Sequence, residues 1–142
     1  MSNEFGKPYE ALEVGEEASF SKTITETDVV LFAGISGDFN PMHMNEAYAK
    51  TTPFGTRIAH GALPQSLIAP VLGMKLPGPG TILLEITTRF KAPTYFGDTI
   101  TAVARVKEKL SEKKWVRMAL VWTNQKGDLI CEGEALVMPP RT

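Results

Sequence analysis

The chain has 142 residues, 43% of them hydrophobic and 22% charged, with fifteen basic and sixteen acidic side chains giving a formal net charge of -1. That balance excludes the electrostatic footprint of a protein that neutralises many phosphates, so no nucleic-acid partner is expected. The lone Cys131 excludes a disulfide framework, and a chain of this length buries enough surface to fold without one. A single domain over residues 1–142 is expected, its ordered part running from about Tyr9 to Met138, because no repeat, low-complexity tract or proline-rich linker interrupts it. The N-terminal segment carries Glu4, Glu10, Glu13, Glu16 and Glu17 and no apolar stretch of export-signal length. No segment approaches the ~20 apolar residues of a membrane span. The expectation is therefore no membrane partner and a cytoplasmic location.

In chain order, Ala18 to Ile24 alternates apolar and polar side chains and predicts a half-buried strand. Thr25 with Asp28 three residues on predicts a helix N-terminus, and the apolar run Val29 to Ala33 continues that helix until Gly34 and Gly37 loosen it. Asn45 to Ala49 reads as a short helix capped by Asn45. Gly61 to Met74 is apolar at nearly every turn, which predicts a central helix buried on most sides. Pro64 suits a first turn, whereas Pro70 should kink that helix or end it early. Leu76-Pro77-Gly78-Pro79-Gly80 must turn. Four extended stretches follow: 81–91, 99–109, 115–123 and 129–138. In the second, Ile100, Ala102, Ala104 and Val106 share one face, a period-2 signal. Short polar connections at 111–114 and 124–128 predict that the last three strands form an antiparallel meander. The order of elements predicts an α+β fold with an antiparallel sheet around the central helix.

Most signatures of chemistry are absent. Two histidines seventeen residues apart with one cysteine offer no zinc spacing, so no metal is expected, although spacing alone does not address a carboxylate-rich site. Gly78-Pro79-Gly80 lacks the third glycine of a dinucleotide loop and nothing matches a Walker loop, so no cofactor is expected. Gly34-Ile35-Ser36-Gly37 differs from a nucleophile elbow, its second glycine falling one position early. Cys131 reads as a core residue.

Two segments remain. In the first, Asp38 and His43 would point apart on a helix, but Pro41 forbids that helix and biases Asn40 toward extended backbone, so a carboxylate and an imidazole can converge as an acid/base pair. Asn40 can anchor the loop or orient a water. The alternative is that Asp38 and Asn40 only satisfy turn backbone and His43 caps a neighbour. The second segment is Arg57-Ile58-Ala59-His60-Gly61, where the Gly61 N–H at a helix N-terminus can stabilise negative charge on a ligand oxygen. His60 reads better as a hydrogen-bonded structural histidine, and Arg57 as solvated or salt-bridged.

Together these segments resemble the MaoC-like, R-specific enoyl-CoA hydratases, or type 2 hydratases. Their signature is occupied here by Phe32, Ile35, Ser36, Gly37, Asp38, Asn40, Pro41, His43 and Ala49, with Met42 where an aliphatic residue is usual. Ile58 to Gly61 and Leu76 to Ile82 are similar to stretches of bacterial members that feed polyhydroxyalkanoate synthesis. The resemblance extends from about Tyr9 to Pro139. It implies a hot-dog fold wrapped around the helix from Gly61 onward, and a homodimer with one continuous sheet and two sites near the interface. It also implies an acyl-CoA thioester as substrate, with reversible addition of water to a trans-2-enoyl thioester giving the (R)-3-hydroxyacyl-CoA. In that reaction Asp38 and His43 would hold the water and move its proton, Asn40 would position the water or His43, and the Gly61 N–H would meet the thioester oxygen. A dehydratase acting on acyl carrier protein shares this implication, with Arg57, Lys75, Arg89 and Lys91 as a basic rim that would equally serve the phosphates of CoA. A hot-dog thioesterase and a non-enzymatic acyl-thioester sensor are more distant readings, the latter disfavoured by the acid/base pair.

Overall fold

A computed structural model describes residues 5–141; Glu4 and the outermost residues of the expected domain lie outside the described residues. After a single 3-10 turn at Tyr9–Ala11, strand β1 covers Glu17–Thr23 and helix α1 covers Glu26–Ser36. Thr25 and Asp28 form the predicted capping box, the Thr25 side chain accepting from the Asp28 N–H and Asp28 accepting from the Thr25 N–H. Lys22 Nζ lies 2.5 Å from Asp28 Oδ2, and this hydrogen bond holds the Asp28 carboxyl below its usual range. Contrary to expectation α1 is not loosened at Gly34. It ends at Gly37, whose φ of 80° closes the last turn in the left-handed conformation that glycine adopts without a Cβ penalty.

The short helices α2 (Pro41–Met44) and α3 (Glu46–Ala49) follow, the latter capped by Asn45 as predicted. The central helix expected over Gly61 to Met74 consists of three pieces, α4 (Ala62–Gln65), α5 (Ile68–Pro70) and a π-helical turn at Val71–Lys75, with the interruption expected at Pro70 among its breaks. Pro70 has no N–H to offer the Ser66 carbonyl, which the Ala69 N–H takes instead at 3.0 Å, so the regular helical bonding is interrupted there. The wider turn then takes over, with the Leu76 N–H reaching the Val71 carbonyl at 2.8 Å. Ala62 is exposed, but Leu67, Ile68, Val71, Leu72 and Leu76 are buried in the main core. The role of the central element thus survives its irregularity.

Strands β2 (Ile82–Phe90), β3 (Thr99–Leu110), β4 (Trp115–Thr123) and β5 (Leu129–Met138) complete an antiparallel sheet of order β1-β3-β4-β5-β2. The predicted meander of β3, β4 and β5 is present. Ile100, Ala102, Ala104 and Val106 share the buried face with Val116, Met118, Leu120 and Trp122. Irregularities at Val106/Glu108, Leu83/Glu85 and Trp122/Thr123 add local twist, which lets the sheet curl around the central pieces. Strand β2 behaves differently from the others. It occupies the sheet edge beside β5, and Ile82, Leu83, Leu84, Ile86 and Phe90 are all exposed.

Candidate active site

The loop between α1 and α2 is a ladder of side-chain-to-backbone bonds. Ser36 Oγ donates to the Phe32 carbonyl at 2.8 Å and accepts the Asp38 N–H at 3.1 Å. Asp38 Oδ1 accepts the Asn40 N–H at 3.1 Å, and Asn40 Oδ1 accepts the Met42 N–H at 3.0 Å. Asp38 and Asn40 therefore do satisfy turn backbone, the alternative raised from sequence, yet Asp38 does so through one oxygen and stays exposed. Pro41 acts in a way that spacing alone does not indicate. Gly37 has already ended α1, and Pro41 begins α2 at the first helical position, where its missing N–H costs nothing. Asn40, at φ -50° and ψ 126°, is the hinge between the two helices.

Helix α2 carries His43 inward, where it is buried. Its Nδ1 lies 2.8 Å from the Ile58 carbonyl; because a carbonyl only accepts, Nδ1 bears a proton and Nε2 is the ring nitrogen left free of that bond. His60 is also buried, its Nε2 donating to the main-chain carbonyl of Asp38 at 2.8 Å. The two imidazoles stack at 4.1 Å between centroids and 31° between planes. One ligand-type atom each of Asp38, His43 and His60 lie within 4.8 Å of one another. The predicted pair is thus brought together, and a second histidine joins it. Each ring spends one nitrogen on a carbonyl, which leaves one nitrogen of each for other contacts.

Gly61 stands at the N-terminal end of α4, exposed, with a helical φ of -55°. Because α4 is four residues long, any stabilisation there is a local N–H effect rather than that of a long helix dipole. A Cβ on Gly61 would lie 3.0 Å from Phe90 Cε1, so the glycine keeps the gap open. A cavity of about 450 Å³ begins here, lined among others by His43, Gly61, Phe90, Thr94, Ile130 and Cys131. Asp38 and Asn40 are not part of its wall; Asp38 flanks His43, while Asn40 spends its side-chain oxygen on α2. A larger groove of about 710 Å³ between Tyr9, Trp115 and Pro140 includes neither histidine, so chemistry is assigned to the smaller cavity.

Residues 10–125 match the MaoC like domain family. The chain belongs to the MaoC-like family. It is 49% identical over 132 residues to the (R)-specific enoyl-CoA hydratase of Rhodospirillum rubrum, covering 93% of this chain and 91% of that protein. Among solved structures it is similar to the R-hydratase PhaJ1 from Pseudomonas aeruginosa, with a TM-score of 0.91, 47% identity, and coverage of 96% and 88% of the two chains. It is likewise similar to the (R)-hydratase from A. caviae involved in PHA biosynthesis, with a TM-score of 0.88, 40% identity, and coverage of 92% and 98%. The hot-dog architecture expected from the sequence is the one these structures share.

Within this MaoC-like chain the proposed basic rim is dispersed. Arg57 pairs with Glu26 at 3.3 Å and lies over the Phe96 ring, the salt-bridged role expected of it. Lys75 donates to the Ser19 carbonyl, and Arg89 lines a groove with Ala119, Val121 and Glu134. Lys91 alone of the four reaches the cavity. Cys131 is fully buried in the core, and burial pushes its thiol up to about 11. Sequence reasoning did not single out Thr94, whose buried hydroxyl lacks a partner at the cavity wall, or Phe90, whose ring lies beside Gly61 in that wall. Each sits in a segment that reads locally as ordinary strand or loop.

Proposed function

We propose that this MaoC-like protein catalyses the reversible, (R)-specific hydration of trans-2-enoyl-CoA to (R)-3-hydroxyacyl-CoA. The observation that carries the proposal is the grouping of Asp38 with His43 beside a cavity that opens at Gly61, in a chain close to half identical to an (R)-specific enoyl-CoA hydratase. The thioester carbonyl withdraws electrons from the alkene, so negative charge grows on its oxygen as water attacks the β-carbon. The Gly61 N–H is the donor assigned to that oxygen. A water held between Asp38 and His43 Nε2 loses a proton to the pair as its oxygen bonds to the β-carbon, and the pair delivers a proton to the α-carbon on the same face. The C=C bond becomes C–C, and no atom is left over. Asn40 takes part by capping α2 and so holding His43, rather than by touching water.

The product belongs to the class of hydroxyacyl thioesters polymerised into polyhydroxyalkanoates, and the A. caviae protein is described as involved in PHA biosynthesis; supplying such precursors is the role proposed here. The acyl-CoA substrate and the single unpaired cysteine favour the cytoplasm. Among the described residues no helix is long and apolar enough to cross a membrane. We also assign a homodimer joined along β2, whose apolar side chains are exposed at the sheet edge and whose Phe90 borders the cavity. The function is tested by adding purified protein to crotonyl-CoA. Loss of enoyl absorbance without release of free thiol is the expected result, whereas thiol release would identify a thioesterase.

A further inference from the structure

We propose that His60 is a positioning residue that sets the placement of Asp38 relative to His43 through its Nε2–H; this rests on the hydratase reading of the site. The sequence puts His60 directly before Gly61, and the fold gives its ring three further attachments. The Nε2–H donates to the Asp38 main-chain carbonyl at 2.8 Å, one face stacks on His43 at 4.1 Å, and the ring also meets Phe32 at 4.9 Å. The three groups assigned to the reaction come from α2, from the loop before it and from the start of α4. His60 touches or is bonded to all three.

Packing alone does not call for an imidazole. The ring is 2% exposed, and since the Asp38 carbonyl only accepts, the proton sits on Nε2 and Nδ1 is left as a buried acceptor without a partner. An unpaired buried polar atom is destabilising, since it has given up its bond to water for nothing. A phenyl ring would fill the same space between Phe32 and His43 without that cost. What a phenyl ring cannot do is hold the Asp38 carbonyl. Asp38 is otherwise on an exposed loop, tied by its side chain to the Asn40 N–H and by its own N–H to the exposed Ser36 Oγ, so the His60 bond is the attachment that fixes its main chain to the buried half of the site. Misplacing a catalytic group by about 1 Å can cost on the order of 10²-fold in rate.

The test compares His60→Phe, which keeps a stacking ring and loses the donor, with His60→Gln, which keeps a donor at similar reach. Wild-type protein is assayed first on crotonyl-CoA, and absence of turnover there refutes the hydratase reading and this proposal with it. With an active wild type, His60→Phe should melt near or above wild type, lose about 10-fold to 100-fold in kcat and keep KM within about threefold. His60→Gln should recover a substantial part of that kcat. A folded His60→Phe with kcat within about twofold of wild type overturns the proposal, as does a Gln variant no better than Phe. Should His60→Phe not fold, His60→Gln against His60→Met makes the same comparison at matched length; a Met variant as active as Gln overturns it.

Discussion

At His43 a single hydrogen bond decides which nitrogen stays free, because Nδ1 is engaged by the Ile58 carbonyl and Nε2 is the atom the proposed reaction uses. Asp38→Asn preserves side-chain volume and the bond to the Asn40 N–H while removing the carboxylate, and His43→Gln removes the imidazole. Each folded variant should lose at least about 10²-fold in crotonyl-CoA hydration, the usual worth of a positioned acid or base. Retention of more than about a tenth of wild-type turnover would refute the two-residue mechanism. Asp38 and His43 were legible in the sequence because a proline between them rules out the one geometry that separates them. His60 was legible as a hydrogen-bonded structural histidine, which its burial and bond bear out, but its partner was not, being a main-chain carbonyl twenty-two residues away that nothing in the local spacing announces. Cys131 allows a different test. Burial raises its thiol from an ordinary 9.0 to about 11, so the folded state keeps the neutral thiol while the unfolded chain ionises. The stabilisation from Cys131 is complete below about pH 9 and is lost as pH rises toward about 11. In urea unfolding, the stability advantage of wild type over Cys131→Ala should shrink between about pH 8 and about pH 10.5. A constant gap would show that the thiol is not buried as described.

Among the elements, strand pairing and capping were readable, since both depend on short-range patterns. The alternation in β3 and the polar connections on either side of β4 led directly to the observed meander, and Thr25 with Asp28 led to the capping box. The central helix was readable as an apolar segment that accepts Pro64 in its first turn and is interrupted at Pro70, while the break between α4 and α5 was not; the buried positions of Leu67, Ile68, Val71 and Leu72 stay in place throughout. Gly133 is an element-scale feature that no local pattern exposes. A Cβ built there would collide with the Thr87 carbonyl oxygen of β2, so β5 and β2 can pair in this register only with glycine at that point. Gly133→Ala should therefore destabilise the protein by about 1–3 kcal/mol, as overpacking does. Chemical denaturation measures this, and a variant as stable as wild type would mean that the two strands are spaced more widely than described.

For the whole molecule, the sheet is unequal at its two ends. Strand β1 presents charged and polar residues, whereas β2 exposes a run of large apolar side chains at an unpaired edge, a surface that monomeric proteins ordinarily protect. Light scattering in solution should give about twice the chain mass of 15.5 kDa, and Ile86→Lys on β2 should shift the protein toward 15.5 kDa and reduce turnover. A wild-type protein that is monomeric and fully active would refute the dimer. The central claim, however, is the reaction and its hand. Purified protein with crotonyl-CoA should be coupled separately to a dehydrogenase specific for (R)-3-hydroxyacyl-CoA and to one specific for the S enantiomer. Signal with the R-specific enzyme alone is the predicted result; signal only with the S-specific enzyme, or with neither, would contradict it.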